Sequence, residues 1–238
     1  MGKIKNTTCR KLTLFLGLLC TLPSLGRTID VGKGKTFPTI HDALKSAKPH
    51  DEIVVHTGKV YKEHLLIDKP IILRGVGLPI IDGSLQGNVI QVKANDVVID
   101  GLQIQHSARS SRIDYSGLHI ENARSVIVRH CVFRANQFSI MFQNSRHCTV
   151  IHNNISSNIV QNAIMGNAIH CWKCDDMHIA ENVIGHNRDG IYLEFVNASR
   201  IEHNKVSGCA RYGLHFMFSH FNVYRANLFS HNQAGVAV

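Results

Sequence analysis

A repeat of about 22 residues is the feature that most constrains the fold of this 238-residue chain. Its opening position recurs at Gly117, Ser139, Ala168, Gly190, Gly213 and Gly235, in steps of 22, 29, 22, 23 and 22 residues. The segments that begin there, from GLHI and SIMF to GLHF and GVAV, alternate apolar and variable residues with the period of a β-strand. The repeat predicts a solenoid in which each coil buries its apolar face by stacking on neighbouring coils.

Further columns of the repeat define the rest of each coil. Fourteen residues after each start stand Cys131, Asn153, Asn182, Asn204 and Asn227, and nineteen residues after stand Asn136, Asn158, Asn187, Cys209 and Asn232. Asparagine tolerates turn conformations and forms hydrogen-bonded ladders when stacked in register. Apolar residues expected to point inward follow the first column, at Phe133, Ile155, Ile184, Val206 and Phe229. This pattern predicts an all-β, right-handed, single-stranded parallel β-helix; the spacing of a leucine-rich repeat and the length of a propeller blade do not fit.

The sequences at the two ends of the predicted solenoid differ from the regular repeat of its middle. A short helix with a capping box is predicted from Thr39, Asp42, Ile40, Ala43, Leu44 and Ala47, and it would cover the first coil. The sequence stops within the first strand of a coil, at residues 235–238, so C-terminal coils are expected to be missing from this sequence.

The N-terminal segment is typical of a secretory signal peptide. Lys3, Lys5, Arg10 and Lys11 precede the apolar run LTLFLGLLCTLPSLG, which is too short for a membrane span and ends at a small-residue cleavage pattern. We therefore predict a signal peptide over residues 1–26 and a β-helix domain over 27–238, with regular coils from about residue 117. Cleavage lowers the formal charge from +9 to +5, and this mild excess without a basic stripe argues against nucleic-acid binding.

One outer face of the first strand is rich in histidine, methionine and aromatic residues. Its first outward column, which we call the stripe, contains His119, Met141, His170, Tyr192 and His215. Its second column contains Glu121, Gln143, Trp172, Glu194 and Met217. Because adjacent rungs lie roughly 4.8 Å apart, the stripe is expected to be a continuous surface, with Met217 beside His215.

The side chains of the stripe include ligand types that suit copper. Imidazole and thioether bind copper, and thioether favours Cu(I). The candidate copper contacts are His119, Met141, His170, His215 and Met217. An alternative stays open at this point: sixteen histidines place some in register by chance, as in the column His130, His152 and His203, and such side chains can simply coat an exposed sheet.

Five cysteines follow the predicted signal peptide, an odd number for an exported protein. Cys131 and Cys209 replace ladder asparagines and Cys148 falls at a buried strand position, which indicates packing roles. Cys171 and Cys174 form a CxxC pair, a weak signal by itself. The register turns Cys171 inward and is expected to separate the two thiols, so packing and metal ligation both stay open for this pair.

Three blocks, GNAIHCW, HNRDGIYLEF and RYGLHFMFS, resemble the NosD family, periplasmic β-helix proteins of nitrous-oxide reductase maturation. The resemblance covers residues 36–238, although its N-terminal part is shared with many pectin-lyase-like β-helices. It implies a periplasmic protein that docks on the separate ATPase and membrane subunits of an ABC transporter. It also implies copper or sulfur supply to nitrous-oxide reductase, with a copper chaperone as a further partner and with Trp172, Tyr192 and Glu194 shaping the partner surface. The sequence departs from the family pattern at Cys171 and Cys174, where the resemblance leads us to expect an apolar residue and a polar turn.

Two other functions stay open on the sequence alone. A polysaccharide lyase or C5-epimerase would need a base and cationic neutralisation of a uronate carboxylate, and the outer columns supply Glu121, Glu194 and His119 with few cations in register. A non-catalytic carbohydrate-binding solenoid would need only an unremarkable outer surface. The histidine, methionine and aromatic content favours a metal or protein contact, and the chain has no GxxxxGK[ST] loop for ATP chemistry. We therefore expect a protein without catalytic activity.

Overall fold

A computed structural model describes residues 26–157 and 164–238. These residues form one helix and 25 strands, and every strand pairing is parallel within three sheets that wind into a solenoid of about nine coils. The all-β parallel β-helix predicted from the repeat is confirmed. The predicted signal peptide, apart from Gly26, and the ladder position Asn158 lie outside the described residues.

The three sheets follow the long axis of the solenoid. Sheet A, in spatial order, contains β1 (Thr28–Val31), β2 (Glu52–His56), β5 (Ile72–Val76), β8 (Val98–Asp100), β11 (Ile127–Arg129), β14 (Thr149–Ile151), β17 (His178–Ala180), β20 (Arg200–Glu202) and β23 (Val223–Arg225). Sheet B contains β3 (Val60–Tyr61), β6 (Ile80–Asp82), β9 (Gln103–Gln105), β12 (Val132–Arg134), β15 (Asn154–Ser156), β18 (Val183–Gly185), β21 (Lys205–Ser207) and β24 (Leu228–Ser230). Sheet C contains β4 (Leu65–Ile67), β7 (Ile90–Val92), β10 (Ser116–Glu121), β13 (Phe138–Gln143), β16 (Ile169–Trp172), β19 (Ile191–Glu194), β22 (Tyr212–Met217) and β25 (Ala234–Ala237).

The core is a column of apolar side chains enclosed by the three sheets. The predicted inward residues Phe133, Ile155, Ile184 and Val206 are at most 2% exposed, and Phe229 packs against the core from the last coil. Each coil supplies few such residues, so the apolar surface is buried only when coils stack.

The first asparagine column forms the predicted ladder inside the turn between sheets A and B. The backbone N–H groups of Asn153, Asn182 and Asn204 each donate to the side-chain oxygen of the asparagine one coil further on, at 2.9–3.1 Å. The Cys131 N–H donates to the Asn153 side chain at 2.9 Å, so cysteine ends the ladder without leaving its own N–H unpaired. The ladder therefore fixes the register from one coil to the next.

The single helix of the described residues covers the N-terminal end of the core. Helix α1 spans Ile40–Ser46, and the Thr39 side chain caps it by accepting from the Asp42 N–H at 3.1 Å. Its buried face contains Ile40, Ala43 and Leu44. The predicted helix is confirmed, with Ala47 as its C-cap. It is too short to cross a membrane, and no other α-helix occurs in residues 26–157 or 164–238.

Candidate functional site

Sheet C arranges the stripe in the register that the repeat predicts. Paired positions run from His119 to Met141, from Met141 to His170, from His170 to Tyr192 and from Tyr192 to His215. The second column pairs in the same order, from Glu121 through Gln143, Trp172 and Glu194 to Met217. Both columns therefore occupy one face of sheet C, and each coil contributes one side chain to each column.

The stripe is more buried than an exposed sheet face. Met141 is 2% exposed and Tyr192 is 9% exposed, and the side chains of His170 and His215 are 12% and 15% exposed. The predicted surface position of the stripe is therefore wrong for Met141, which is buried. The reason is packing along the column: the ring centroids of His170 and Tyr192 lie 4.7 Å apart, and those of Tyr192 and His215 lie 4.8 Å apart. Large neighbours one rung away cover each other and leave little room for water.

His170 is the most unusual residue of the stripe. Both of its ring nitrogens are buried without a hydrogen-bond partner, and the nearest carboxylate oxygen, on Glu194, lies 4.0 Å from Nε2. Burial lowers the pKa of His170 to about 4; the positive charge of Arg188 adds to this, and Asp189 opposes it. At neutral pH the imidazole is therefore uncharged, and one nitrogen lone pair is free to bind a metal ion.

The other candidate ligands already have polar partners. His119 lies 3.4 Å from the Asn88 amide nitrogen and 3.2 Å from the Gln143 amide oxygen. The Tyr192 hydroxyl donates to the Met217 sulfur at 2.7 Å. The Gln143 amide donates a long contact of 3.7 Å to the Met141 sulfur, which leaves that thioether weakly engaged. Adjacent in register, Met141 and His170 are thus the pair best placed to share one ion.

A buried carboxylate, which the sequence analysis did not single out, orients the far end of the stripe. Asp189 is fully buried and accepts two hydrogen bonds from the Arg211 guanidinium, at 3.0 and 2.7 Å. Its carboxylate also lies 3.6 Å from Nδ1 of His215. In the sequence Asp189 looks like an ordinary turn aspartate before Gly190. Only its burial shows that it holds Arg211 and His215 in place.

The five cysteines of the described residues are all buried thiols. The predicted packing positions of Cys131, Cys148 and Cys209 are confirmed, since each is at most 3% exposed. Burial raises the pKa values of these thiols, to about 12 for Cys131 and Cys148 and about 11 for Cys209.

The expected separation of Cys171 and Cys174 is wrong. Both side chains are fully buried, and the interaction between the two thiols raises the pKa of Cys171 and lowers that of Cys174. The reason is the turn after β16: Lys173 adopts a left-handed conformation with φ of 52°, which returns the side chain at 174 to the interior.

The described residues contain no group of three or more histidine, cysteine, aspartate or glutamate side chains that could hold a metal ion. A metal contact on this face would therefore rest on few protein ligands, with thioether among them. Two surface grooves, of about 470 and 560 Å³, lie along turns and away from the stripe. The first is lined by Arg124, Arg146 and Lys173 among others, and the second by Glu181, His203 and Lys205 among others.

The sequence matches a known protein family over most of its length. The profile of NosD, described as a periplasmic copper-binding protein, matches residues 52–168 and 156–238. The chain belongs to the NosD family. No curated protein sequence matches this NosD-family chain.

Solved structures similar to this NosD-family chain are parallel β-helices of low sequence identity. The Dettilon tailspike protein (gp208) matches with a TM-score of 0.60 and 13% identity, over 74% of this chain and 44% of the tailspike. DFA-IIIase from Arthrobacter chlorophenolicus A6 matches with 0.59 and 11%, over 87% of this chain and 71% of the enzyme. The A-module of the mannuronan C-5 epimerase AlgE6 from Azotobacter vinelandii matches with 0.54 and 14%, over 81% and 57%. At these identities the similarity shows a shared fold, and the chain spans less than half of the tailspike.

Proposed function

We propose that this NosD-family protein is a non-catalytic maturation factor that carries Cu(I) for the assembly of the copper centre of nitrous-oxide reductase. In this proposal Met141 and His170 hold the ion, and His119, His215 and Met217 are flanking contacts during its transfer. The family description as a periplasmic copper-binding protein supports the metal, and the side chains on sheet C suit its reduced form. Copper is cargo here, so weak binding by few ligands suits the role.

The observation that carries the proposal is the pair of unpartnered nitrogens on His170. A buried polar atom without a hydrogen bond costs roughly 1–3 kcal/mol, so such an atom needs a physical reason. A metal ion supplies one, because it would use the lone pair of a neutral imidazole. The thioether of Met141, one rung away in register, provides a soft second ligand.

The proposal is tested by an anaerobic Cu(I) competition titration of the mature protein. We expect His170→Phe and Met141→Leu each to weaken Cu(I) binding at least about 10-fold, since each removes one of two ligands while filling nearly the same space. The double variant His215→Ala/Met217→Ala is expected to have a smaller effect, because these residues flank the proposed site. Affinity should also stay constant between about pH 5 and 8, because His170 is neutral throughout that range.

Met177→Leu is the matched control for the methionine substitution. Met177 is also buried, at 1% exposure, but it lies in the turn that follows the CxxC pair rather than on the stripe. Its replacement should leave Cu(I) affinity unchanged. Equal losses in Met141→Leu and Met177→Leu, or a parent protein that binds no Cu(I), would contradict a copper site at Met141 and His170.

The partners we propose are the ATPase and membrane subunits of an ABC transporter, a copper chaperone and nitrous-oxide reductase itself. The docking face is the second column beside the stripe, where Trp172 and Glu194 pair in register and Lys173 lies 4.3 Å from the Trp172 ring centre. Tyr192 shapes the same face from the stripe, where burial raises its pKa. An aromatic ring beside cationic and anionic groups is a common centre for protein contacts.

Trp172 provides a direct test of this docking face because it is the single tryptophan of the chain. Protein labelled with fluorotryptophan should give one fluorine resonance, and adding the copper chaperone is expected to shift or broaden that signal. A complex that forms while the resonance stays unchanged would place the chaperone elsewhere on the solenoid. Trp172→Ala should weaken the same complex, and His41→Gln, on the exposed side of α1, should not.

The side chains of the two outer columns give less support to the alternative function, an enzyme that acts on uronate polysaccharides. Glu121 forms an ion pair with Lys93, which is a cation in line with the second column that the sequence analysis did not single out. The epimerase module named above shares the fold at 14% identity, which carries no information about a shared reaction. A test on alginate and pectin, with product formation as the readout, would favour the enzyme if it gave turnover that Glu121→Gln and Glu194→Gln abolish.

A further inference from the structure

The Cys171–Cys174 pair has no role in the proposed copper site, and its geometry is unusual among the cysteines. Of the five cysteines in the described residues, these two are the only pair separated by just two residues of sequence. The Cys174 thiol also lies 3.4 Å from the Trp172 carbonyl oxygen, which fixes its direction. Both side chains are fully buried at the corner where sheet C turns towards sheet A.

The backbone keeps the two sulfur atoms together. Strand β16 points Cys171 inward, the left-handed Lys173 reverses the chain, and Cys174 points inward again only three residues later. Cys148, which is also fully buried, approaches from the preceding coil but directs its thiol to the Arg146 carbonyl oxygen at 3.3 Å. The turn therefore brings the Cys171 and Cys174 side chains into the same part of the core.

The family of this chain is described as periplasmic, and disulfides form and persist in the oxidising periplasm. We propose that Cys171 and Cys174 are a modification site, joined in the exported protein by an intrachain disulfide. The co-reactant is a protein disulfide oxidant that works by thiol–disulfide exchange. This inference does not depend on copper binding by the stripe.

The exchange balances within the pair and the oxidant. One cysteine loses its proton and attacks the oxidant's disulfide, which forms a mixed disulfide and releases one oxidant thiolate. The second cysteine then attacks the mixed disulfide, forms the Cys171–Cys174 bond and releases the other oxidant thiolate. Together the two cysteines lose two protons and two electrons, and the oxidant leaves as a dithiol.

Burial sets the time at which this reaction can occur. A folded coil with both thiols fully buried offers no path for an oxidant, so the exchange must precede the stacking of the next coil. The closed loop is short, which keeps the two thiols near each other even in the unfolded chain. Once folded, the bond would fix the corner that presents Trp172, one of the two residues between the cysteines.

The test exploits Lys173, which lies between the two cysteines. Wild-type protein recovered from the periplasm is quenched with acid, denatured and alkylated without reductant, and then cut after lysine. We expect Cys171 and Cys174 to escape alkylation and their two peptides to remain joined until a reductant is added. Cys131, Cys148 and Cys209 should be alkylated without reductant.

Two variants distinguish a Cys171–Cys174 disulfide from a bond that involves Cys148. Cys148→Ala should leave the joined peptides unchanged, and Cys171→Ser should make Cys174 available to the alkylating reagent. Complete alkylation of the wild-type protein without reductant would overturn the proposal, and so would a joined peptide that contains Cys148. Protection that a Cu(I) chelator removes without reductant would also overturn it, because the thiols would then be metal ligands.

Discussion

His170→Phe is expected to stabilise the protein while it weakens Cu(I) binding. At pH 7 the substitution replaces two buried nitrogens that lack hydrogen-bond partners with carbon, in a site bounded by the rings of Phe138 and Tyr192. Since an unpartnered buried polar atom costs about 1–3 kcal/mol, we expect a gain of about that size in the free energy of unfolding. The measurement is equilibrium unfolding in urea.

The gain should grow as the pH falls. Folded His170 has a pKa of about 4, below the value of 6.5 for a free histidine, so below about pH 6.5 the unfolded chain takes up a proton that the folded protein refuses. The wild type therefore loses stability between about pH 6.5 and pH 4 through this residue, by roughly 3 kcal/mol in total. His170→Phe lacks this loss, and its advantage over the wild type should rise over that interval.

His41→Gln provides the matched control, because His41 is an exposed histidine on α1 and glutamine suits a helix. That variant should follow the pH dependence of the wild type. Parallel stability curves for the wild type and His170→Phe between pH 6.5 and 4 would show that His170 takes up a proton in the folded protein. Such a result would also remove the argument that a neutral imidazole is kept ready for a metal ion.

Residues that lower the stability of a protein while they take part in binding are common at functional sites. Only one residue of the stripe has this combination of properties. His119 and His215 have polar partners, Met217 accepts a hydrogen bond, and His170 alone among the candidate ligands has buried polar atoms without any partner. The stability cost thus points to the same residue as the ligand chemistry.

The repeat period was enough to predict both the fold and the register of the site. A strand period of two and a coil of about 22 residues leave one way to align His119, Met141 and His170, and sheet C pairs them in that way. The asparagine ladder and the capped helix followed from local chemistry, because a turn asparagine and a capping box each depend on a few neighbouring residues.

The burial of individual side chains and the conformation of individual turns were not predicted from the repeat. Met141 is buried because the side chains one rung away are large. Such packing depends on the three-dimensional arrangement of the side chains, which the spacing of residues along the sequence does not give. Cys174 points inward because Lys173 takes a left-handed conformation, which lysine adopts rarely. The signal for it lies in the preceding coils, where the equivalent positions Asn122 and Asn144 are also left-handed. Asp189 looks like a turn residue until its contact with Arg211 is seen.

The asparagine ladder is expected to contribute more to stability than any single exposed interaction. Asn182 is fully buried at its centre and accepts from the N–H and the side-chain amide of Asn153, both at 3.0 Å. Its own amide donates to the Val150 carbonyl and to the Asn204 side chain, both at 2.9 Å. Asn182→Ala removes all four bonds and leaves the Asn153 N–H buried without its acceptor.

We expect Asn182→Ala to lower the free energy of unfolding by roughly 3–5 kcal/mol, because several buried groups lose partners at once. The slope of unfolding against urea should also fall, since coils that lose their ladder contact can detach from the rest of the stack before it unfolds. Asn227→Ala is the matched control. Asn227 accepts the same two bonds from Asn204 but is partly exposed in the last coil, so water can replace its side chain, and we expect a loss below about 1.5 kcal/mol. Equal losses in the two variants would mean that the ladder contributes through turn propensity alone, and that its buried hydrogen bonds do not fix the register on which the stripe depends.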